Sequence, residues 1–427
     1  MKNRYASHLV LAALWLMVFS ISSQMMVISP ILPNIATALE ISKPLQGSLI
    51  SAYAIPLGIL AFIIGPISDK IGRRRVLITG TGIMSITLFM HAFVYDYTSF
   101  LIIRMLTGAA GGLLSGASIA YVGDYFPAHK RGWANGIVMT GIAGGFSLGI
   151  PIGTLLAEFG SFRYPFVMFA VTMMIAAVLI WFYLPQPSIR NLNKKLTLSQ
   201  IKENYISLFK RPELLALAAS FALMSFCVAM YMIFLPTWLT DTFKLNGYSI
   251  ASIVFVAGFS GAIVSPFSGK LSDRLGRKVF VVNACMGLSI AIAMTTLFIT
   301  DVWLAYPLVA LAMMLDAARI GPFQALITEL VPEETRGTMV SLSVTVGQLG
   351  MGFGGALAGF TYHEIGFVYN TTLAALAILL VGIIVAWVIP ETYSKSDSDK
   401  MMPKEEQIGV LYERLPNRGV LVWEKKK

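Results

Sequence analysis

Apolar residues dominate this chain in runs of about 20, long enough to cross a hydrocarbon layer as helices. The runs fall near 8–33, 46–66, 76–95, 98–122, 133–157 and 164–184, then 213–238, 248–268, 279–299, 302–326, 338–360 and 368–390. The pattern predicts an all-α membrane protein of twelve spans, six on each side of one long polar break. That break, 185–212, carries Asn, Ser, Lys and Pro and reads as a linker between an N-terminal bundle (1–184) and a C-terminal bundle (213–390); residues 391–427 form a polar tail. Ile408–Tyr412 and Val420–Trp423 flank Pro416-Asn417-Arg418-Gly419, so the tail reads either as a small hairpin or as a flexible segment. The first run follows Lys2 and Arg4 but is too long for a signal-peptide core, and is read as a retained span.

Composition agrees with the pattern. The 427 residues are 56% hydrophobic and 13% charged, far below the charge content of a soluble domain. The net charge of +10 sits in short loops rather than on one face or arm, which argues against nucleic acid as a partner. Its distribution sets an orientation: of the Lys and Arg residues, Lys43, Arg163 and Lys244 fall on one side and Arg104 and Arg319 inside spans, while the rest share the other side with both termini. The positive-inside rule makes that side cytoplasmic. Cys227 and Cys285 lie inside apolar runs, and no metal or disulfide spacing is present.

One short motif occurs twice. Gly65-Pro66-Ile67-Ser68-Asp69-Lys70-Ile71-Gly72-Arg73-Arg74 recurs as Gly269-Lys270-Leu271-Ser272-Asp273-Arg274-Leu275-Gly276-Arg277-Lys278, with Gly, Ser, Asp, Gly and Arg identical. Pro127 with Arg131-Gly132 recurs as Pro332 with Arg336-Gly337 at nearly the same displacement. Two echoes at one spacing indicate a duplicated bundle, a common construction among transporters. The motif glycines are expected to permit close helix approach and a positive-φ turn, and Asp69 and Asp273 to accept hydrogen bonds or face a helix N-terminus. Asp124, at the inner end of span 4, is a candidate partner for Arg73 and Arg74.

The Asp69 motif resembles the signature loop of the major facilitator superfamily, and the twelve-span layout extends that resemblance over about residues 8 to 390. Arg104-Met105-Leu106-Thr107-Gly108 in span 4 is similar to the Arg-x-x-x-Gly element of its proton-driven efflux subgroup. Gly141, Gly145, Gly149, Pro151 and Gly153 in span 5 resemble the glycine-proline element of antiporters, although Ile150 separates Gly149 from Pro151 and Thr154 replaces a glycine. The resemblance implies alternating access powered by a proton gradient, without a cofactor. It also implies that Asp69, with Arg73 and the start of span 11 near Thr335 to Thr338, stabilises a cytoplasm-closed state, so that Asp69→Asn shifts the population inward. In the resembled fold spans 1, 4, 7 and 10 line the central cavity, which gives Arg104, Asp316 and Arg319 access to one aqueous space.

Ionisable groups deep in spans are costly, so these three need a reason. Arg104 either snorkels towards water or takes part in coupling, the role the resemblance implies. Asp316 and Arg319 share a helix face. They either neutralise each other, or Asp316 is a protonatable switch and Arg319 the point where proton and substrate compete. Span 1 offers Gln24 where many proton-driven drug exporters carry an acid. Gln24, Tyr53, Tyr231, Gln324 and Gln348 are the polar groups expected to face the cavity. No phosphate-binding loop is present, which disfavours ATP-driven pumping, and the four scattered histidines offer no enzyme-like cluster. The expectation is a monomeric secondary transporter in a bacterial plasma membrane, embedded in lipid and exporting a small organic compound against protons. Uptake or exchange of an organic anion, and translocation of a lipid-like amphiphile, stand as rivals; the intramembrane charges sum to one positive, which favours an anion.

Overall fold

The computed structural model describes residues 2–186, 210–331 and 336–391. Twelve helical spans are long and apolar enough to cross a membrane, and among the described residues there is no strand. In the N-terminal bundle they are Lys2–Met26 continued by Ile28–Ala38 (span 1), Ser48–Ile71 (2), Arg73–Met90 (3), Tyr97–Leu114 with Ala117–Tyr125 (4), Ala128–Gly144 through Ile150–Phe159 (5) and Tyr164–Tyr183 (6). The C-terminal bundle has Pro212–Met232 with Leu235–Phe243 (7), Gly247–Leu275 (8), Arg277–Phe298 (9), Val302–Leu330 (10), Arg336–Glu364 (11) and Phe367–Val388 (12). The tail readings and most of the linker lie outside the described residues.

Helix starts on the face opposite the arginine-rich loops are set by local chemistry. Asp96 accepts from Ser99 N–H at 2.7 Å in a capping box, Asn246 accepts from Ser249 N–H, and Asp301 from Trp303 N–H. The Ser99 side chain first, and its backbone N–H second, hold the Asp96 carboxyl below its ordinary range. We call the arginine-rich side the basic face and the opposite side the far face.

The repeated motif is a helix end, a glycine and a helix start rather than a loop. Gly72 and Gly276 stand at φ 98°, ψ 134° and φ 94°, ψ 130°, so the two copies share one left-handed corner that a side chain would strain. Gly269, expected to allow close approach, has open space around it instead.

Within each bundle, apolar tails give helices little reason to associate, and small residues let backbones approach. Span 5 packs on span 1 through glycines at every fourth position. A Cβ on Gly141 would come within 2.8 Å of Trp15 O, one on Gly145 within 3.1 Å of Phe19 O, and one on Gly153 within 2.5 Å of Val27; at Gly149 it would strike Ser23 Oγ. Gly145–Gly149 forms a π-helical turn, with Pro151 just after it at the start of the next helical segment. This glycine face is what the span-5 element does in the fold.

The bundles meet along spans 2 and 11 and spans 5 and 8, with the ends of spans 1 and 7 between them. The described hydrogen bonds across this interface run from the far face to mid-depth. Glu158 accepts from Gly247 N–H at 2.7 Å, His363 Nε2 lies 3.3 Å from Gln46 Oε1, and Ser51 donates to Gly352 O at 2.5 Å. Deeper, Thr345 donates to Gly58 O at 3.1 Å. Ser29 sits at the centre and forks to Met232 O at 2.6 Å and Ile233 O at 2.9 Å, where span 7 breaks between its two helices. The far side is therefore sealed in this conformation.

Candidate functional site

Arg104 is fully buried about 10 Å in from the far-face start of span 4, at about 1.5 Å per residue. Its Nε donates to Leu49 O at 3.4 Å and its Nη1 to Gln24 Oε1 at 3.2 Å, and the guanidinium lies 4.5 Å from the centre of the Tyr53 ring. Gln24 Nε2 in turn donates to Tyr53 Oη at 2.7 Å, so span 1 orients both residues. The Arg-x-x-x-Gly spacing has a geometric cause. Gly108 sits one turn below Arg104, where a Cβ would overlap the Tyr53 carbonyl, and a Cβ on Gly112 would stand 2.7 Å from Leu57 O. The bare glycine face draws span 2 in and lays Tyr53 over the guanidinium. Three of the sequence-predicted site residues thus form one cluster. It borders a small cavity with Met25, Ile28, Ser29, Ile50, Ile233 and Met351.

Asp316 and Arg319 form a second cluster. Arg319 Nη2 donates to Asp316 Oδ1 at 2.5 Å; the arginine side chain is 5% exposed and the carboxylate 18%. Arg319 Nε is buried without a partner among the described residues. Asp316 lies roughly 20 Å along span 10 from its far-face start, at about 1.5 Å per residue, and so well below Arg104. No described contact joins the two clusters, and the three charges stand in two layers at different depths.

The remaining cavity candidates divide. Gln348 lies at the junction of spans 11 and 2, where a Cβ on Gly58 would meet its Cβ at 3.1 Å, and its Oε1 is buried without a described partner. Gln324 is exposed on the basic-face half of span 10. Tyr231 is a correction. It is buried inside the C-terminal bundle, 2.9 Å from Thr295 Oγ1 and stacked on Phe367, and so turns away from the bundle interface. A tyrosine hydroxyl finding a threonine within an apolar bundle satisfies itself without water.

At the basic face, Arg73 Nε meets Asp124 Oδ2 at 3.0 Å and its Nη1 donates to Ser68 at 3.1 Å, while Arg74 donates to Trp181 O at 2.6 Å. Asp124 is thus the loop-arginine partner the sequence suggested. Gly65 and Asp69 belong to the helix of span 2, but the Asp69 side chain and Thr335 lie outside the described part, so the proposed contact between them does too. In the second copy Arg277 pairs with Asp273 at 3.2 Å and with Glu329. Glu391 reaches the start of span 9, accepting from Lys278 N–H at 3.2 Å beside Gly276, and Gln186 stands against Gly72 in the same way. Glu329 and Glu391 escaped the sequence reading although the repeat points to them. Carried through the displacement of the second echo, Asp124 lands on Glu329, and Pro185-Gln186 on Pro390-Glu391. The far-face contacts of Ser29, Gln46, Glu158 and His363 had no such signal.

A profile of the Major Facilitator Superfamily matches residues 14–318 and 256–423, and the chain belongs to that superfamily. It is an integral, multi-pass membrane transporter and not an enzyme. An uncharacterized MFS-type transporter of Bacillus subtilis, YceJ, is 24% identical over 82% of this chain and 89% of its own length. Multidrug resistance protein MdtG of Proteus mirabilis is 26% identical over 80% and 83%, and a hexuronate transporter of Bacillus subtilis 27% over 78% and 83%. Among solved structures, a D-xylose-proton symporter superposes with a TM-score of 0.73 at 18% identity, covering 90% of this chain and 98% of that one. A partially occluded, inward-open form of the xylose transporter XylE from E. coli also superposes at 0.73, with 16% identity over 92% and 99%. At such identities the structures share the fold.

Proposed function

We propose that this protein is a proton-coupled exporter of a small organic solute, acting as a monomer in a bacterial plasma membrane with the basic face and both termini in the cytoplasm. The observation that carries the reading is the Asp316–Arg319 pair, a partly accessible carboxylate bound to a buried arginine beneath a sealed far side. A proton on Asp316 neutralises its carboxylate, and a solute that binds by donating hydrogen bonds to that carboxylate needs it ionised. Proton and solute then exclude one another, which is the requirement for exchange. The relative named as multidrug resistance protein MdtG supports export, and the symporter neighbour supports protons as the coupling ion. The asymmetry of basic residues supports the orientation.

The test uses liposomes carrying the full chain and an imposed pH gradient, with cationic drugs, sugars and organic acids offered in turn. Asp316→Asn is expected to abolish gradient-driven movement of the solute that the unmodified protein transports, while downhill exchange of that solute persists. Gradient-driven transport retained in Asp316→Asn rejects the reading.

A further inference from the structure

We infer that Arg104 is the anion-recognising group of the transport cavity, and that the cargo is an organic acid with an apolar body. This deepens the transport reading above and rests on it, but not on Asp316 as the proton carrier.

The argument starts from charge. Arg104 is fully buried, and all its described partners are neutral: the Leu49 carbonyl, the Gln24 amide oxygen and the Tyr53 ring. The other buried intramembrane cation, Arg319, has Asp316. Among the described residues, no carboxylate reaches Arg104. A guanidinium held away from water without a counter-charge is unfavourable, and a carboxylate beside it recovers the loss. Two hydrogen bonds occupy Arg104, whereas a guanidinium has about five N–H donors. Donors therefore remain for a carboxylate, the anion whose geometry a guanidinium matches in two-pronged fashion. A cationic cargo would meet the same uncompensated charge and be repelled.

The surroundings define the rest of the ligand. The cavity beside Arg104 is walled by Met25, Ile28, Ile50, Ala54, Ile233 and Met351, with Ser29 at its far-face end. These side chains offer contact to an apolar body and, methionine in particular, adapt to its shape. They come from spans 1 and 2 of one bundle and spans 7 and 11 of the other, so the cavity widens when the far-face seal opens and Arg104 then borders it. Gln24 supplies a further point. It holds Arg104 with its oxygen and Tyr53 with its nitrogen, fixing the guanidinium without cancelling its charge. A glutamate at this position would cancel it.

The experiment measures the thermal midpoint of the purified full-length protein with three probes that share one aromatic body: phenylacetate, phenylacetamide and phenethylamine. Phenylacetate is expected to raise the midpoint at concentrations where the amide and the amine do not. In Gln24→Glu, which gives Arg104 an internal carboxylate, the phenylacetate response is expected to need about tenfold more ligand. Equal responses to the three probes, a preference for the amine, no response to phenylacetate, or an unchanged response in Gln24→Glu each overturn the inference. The comparison of probes on the unmodified protein stands even if the variant fails to fold. Proton exchange assayed on the same preparation separates the two readings: exchange without phenylacetate selectivity counts against the anion site alone, and selectivity without exchange against proton coupling alone.

Discussion

Arg104 and Gly108 show how a single residue acts in this membrane fold. The arginine is tolerable where it is because Gly108 admits span 2 and, with it, the Tyr53 ring and the Leu49 carbonyl. Gly108→Ala is therefore expected to destabilise the protein by about 1–3 kcal/mol, the usual cost of overpacking. Gly82, in span 3, faces open space, and Gly82→Ala is expected to gain roughly 0.4–1 kcal/mol by stiffening the unfolded chain. Thermal unfolding of the two purified variants checks both signs. The sequence revealed Arg104, Gln24 and Tyr53 as functional candidates because polar groups stand out against apolar runs. It misplaced Tyr231 because helix faces turned into a bundle and towards its cavity are both apolar, leaving no periodicity to tell them apart.

Among elements, the two motif corners and the far-face latches do different work. At the corners the backbone outweighs the charges. Gly276→Ala forces a side chain into φ 94° and is expected to cost about 1–3 kcal/mol. Glu329→Gln weakens a partly exposed ion pair with Arg277 and is expected to cost less than about 1 kcal/mol. Unfolding midpoints of the two variants rank these effects. On the far face, Ser29 donates to two carbonyls that the break in span 7 leaves without helical donors. Ser29→Ala leaves them unpaired in the closed state alone, shifting the balance towards far-side opening by about 1–3 kcal/mol. A cysteine placed at Ile50, beneath the seal, reports this through an impermeant maleimide added from the far side, the native Cys227 and Cys285 being buried. Labelling is expected to accelerate about tenfold in the Ser29→Ala background, and an unchanged rate contradicts the latch. Span number and approximate boundaries were legible because hydrocarbon thickness dictates run length. The seal was not, because it depends on hydroxyls and backbone carbonyls whose meeting is a property of bundle docking.

At the scale of the molecule, two bundles that carry the same repeated corner touch from the far face to mid-depth and hold their intramembrane charges at two levels. Arg104 lies near the seal and the Asp316–Arg319 pair deeper. In the exchange cycle proposed above, alternating access moves the seal from one face to the other while a solute and a proton take turns in the space between. The duplication was plain in the sequence, since the Gly-Asp-Arg repeat folds into the same corner twice. The division of charges into two layers was not, because depth along a helix is visible in sequence but the neighbours at that depth are not. The measurement that tests the account most directly is the direction of proton movement when a transported solute is added to one side of liposomes carrying the full chain. The account predicts protons moving opposite to the solute, with the response lost in Asp316→Asn. Protons travelling with the solute, or solute flux with no proton movement, contradict it.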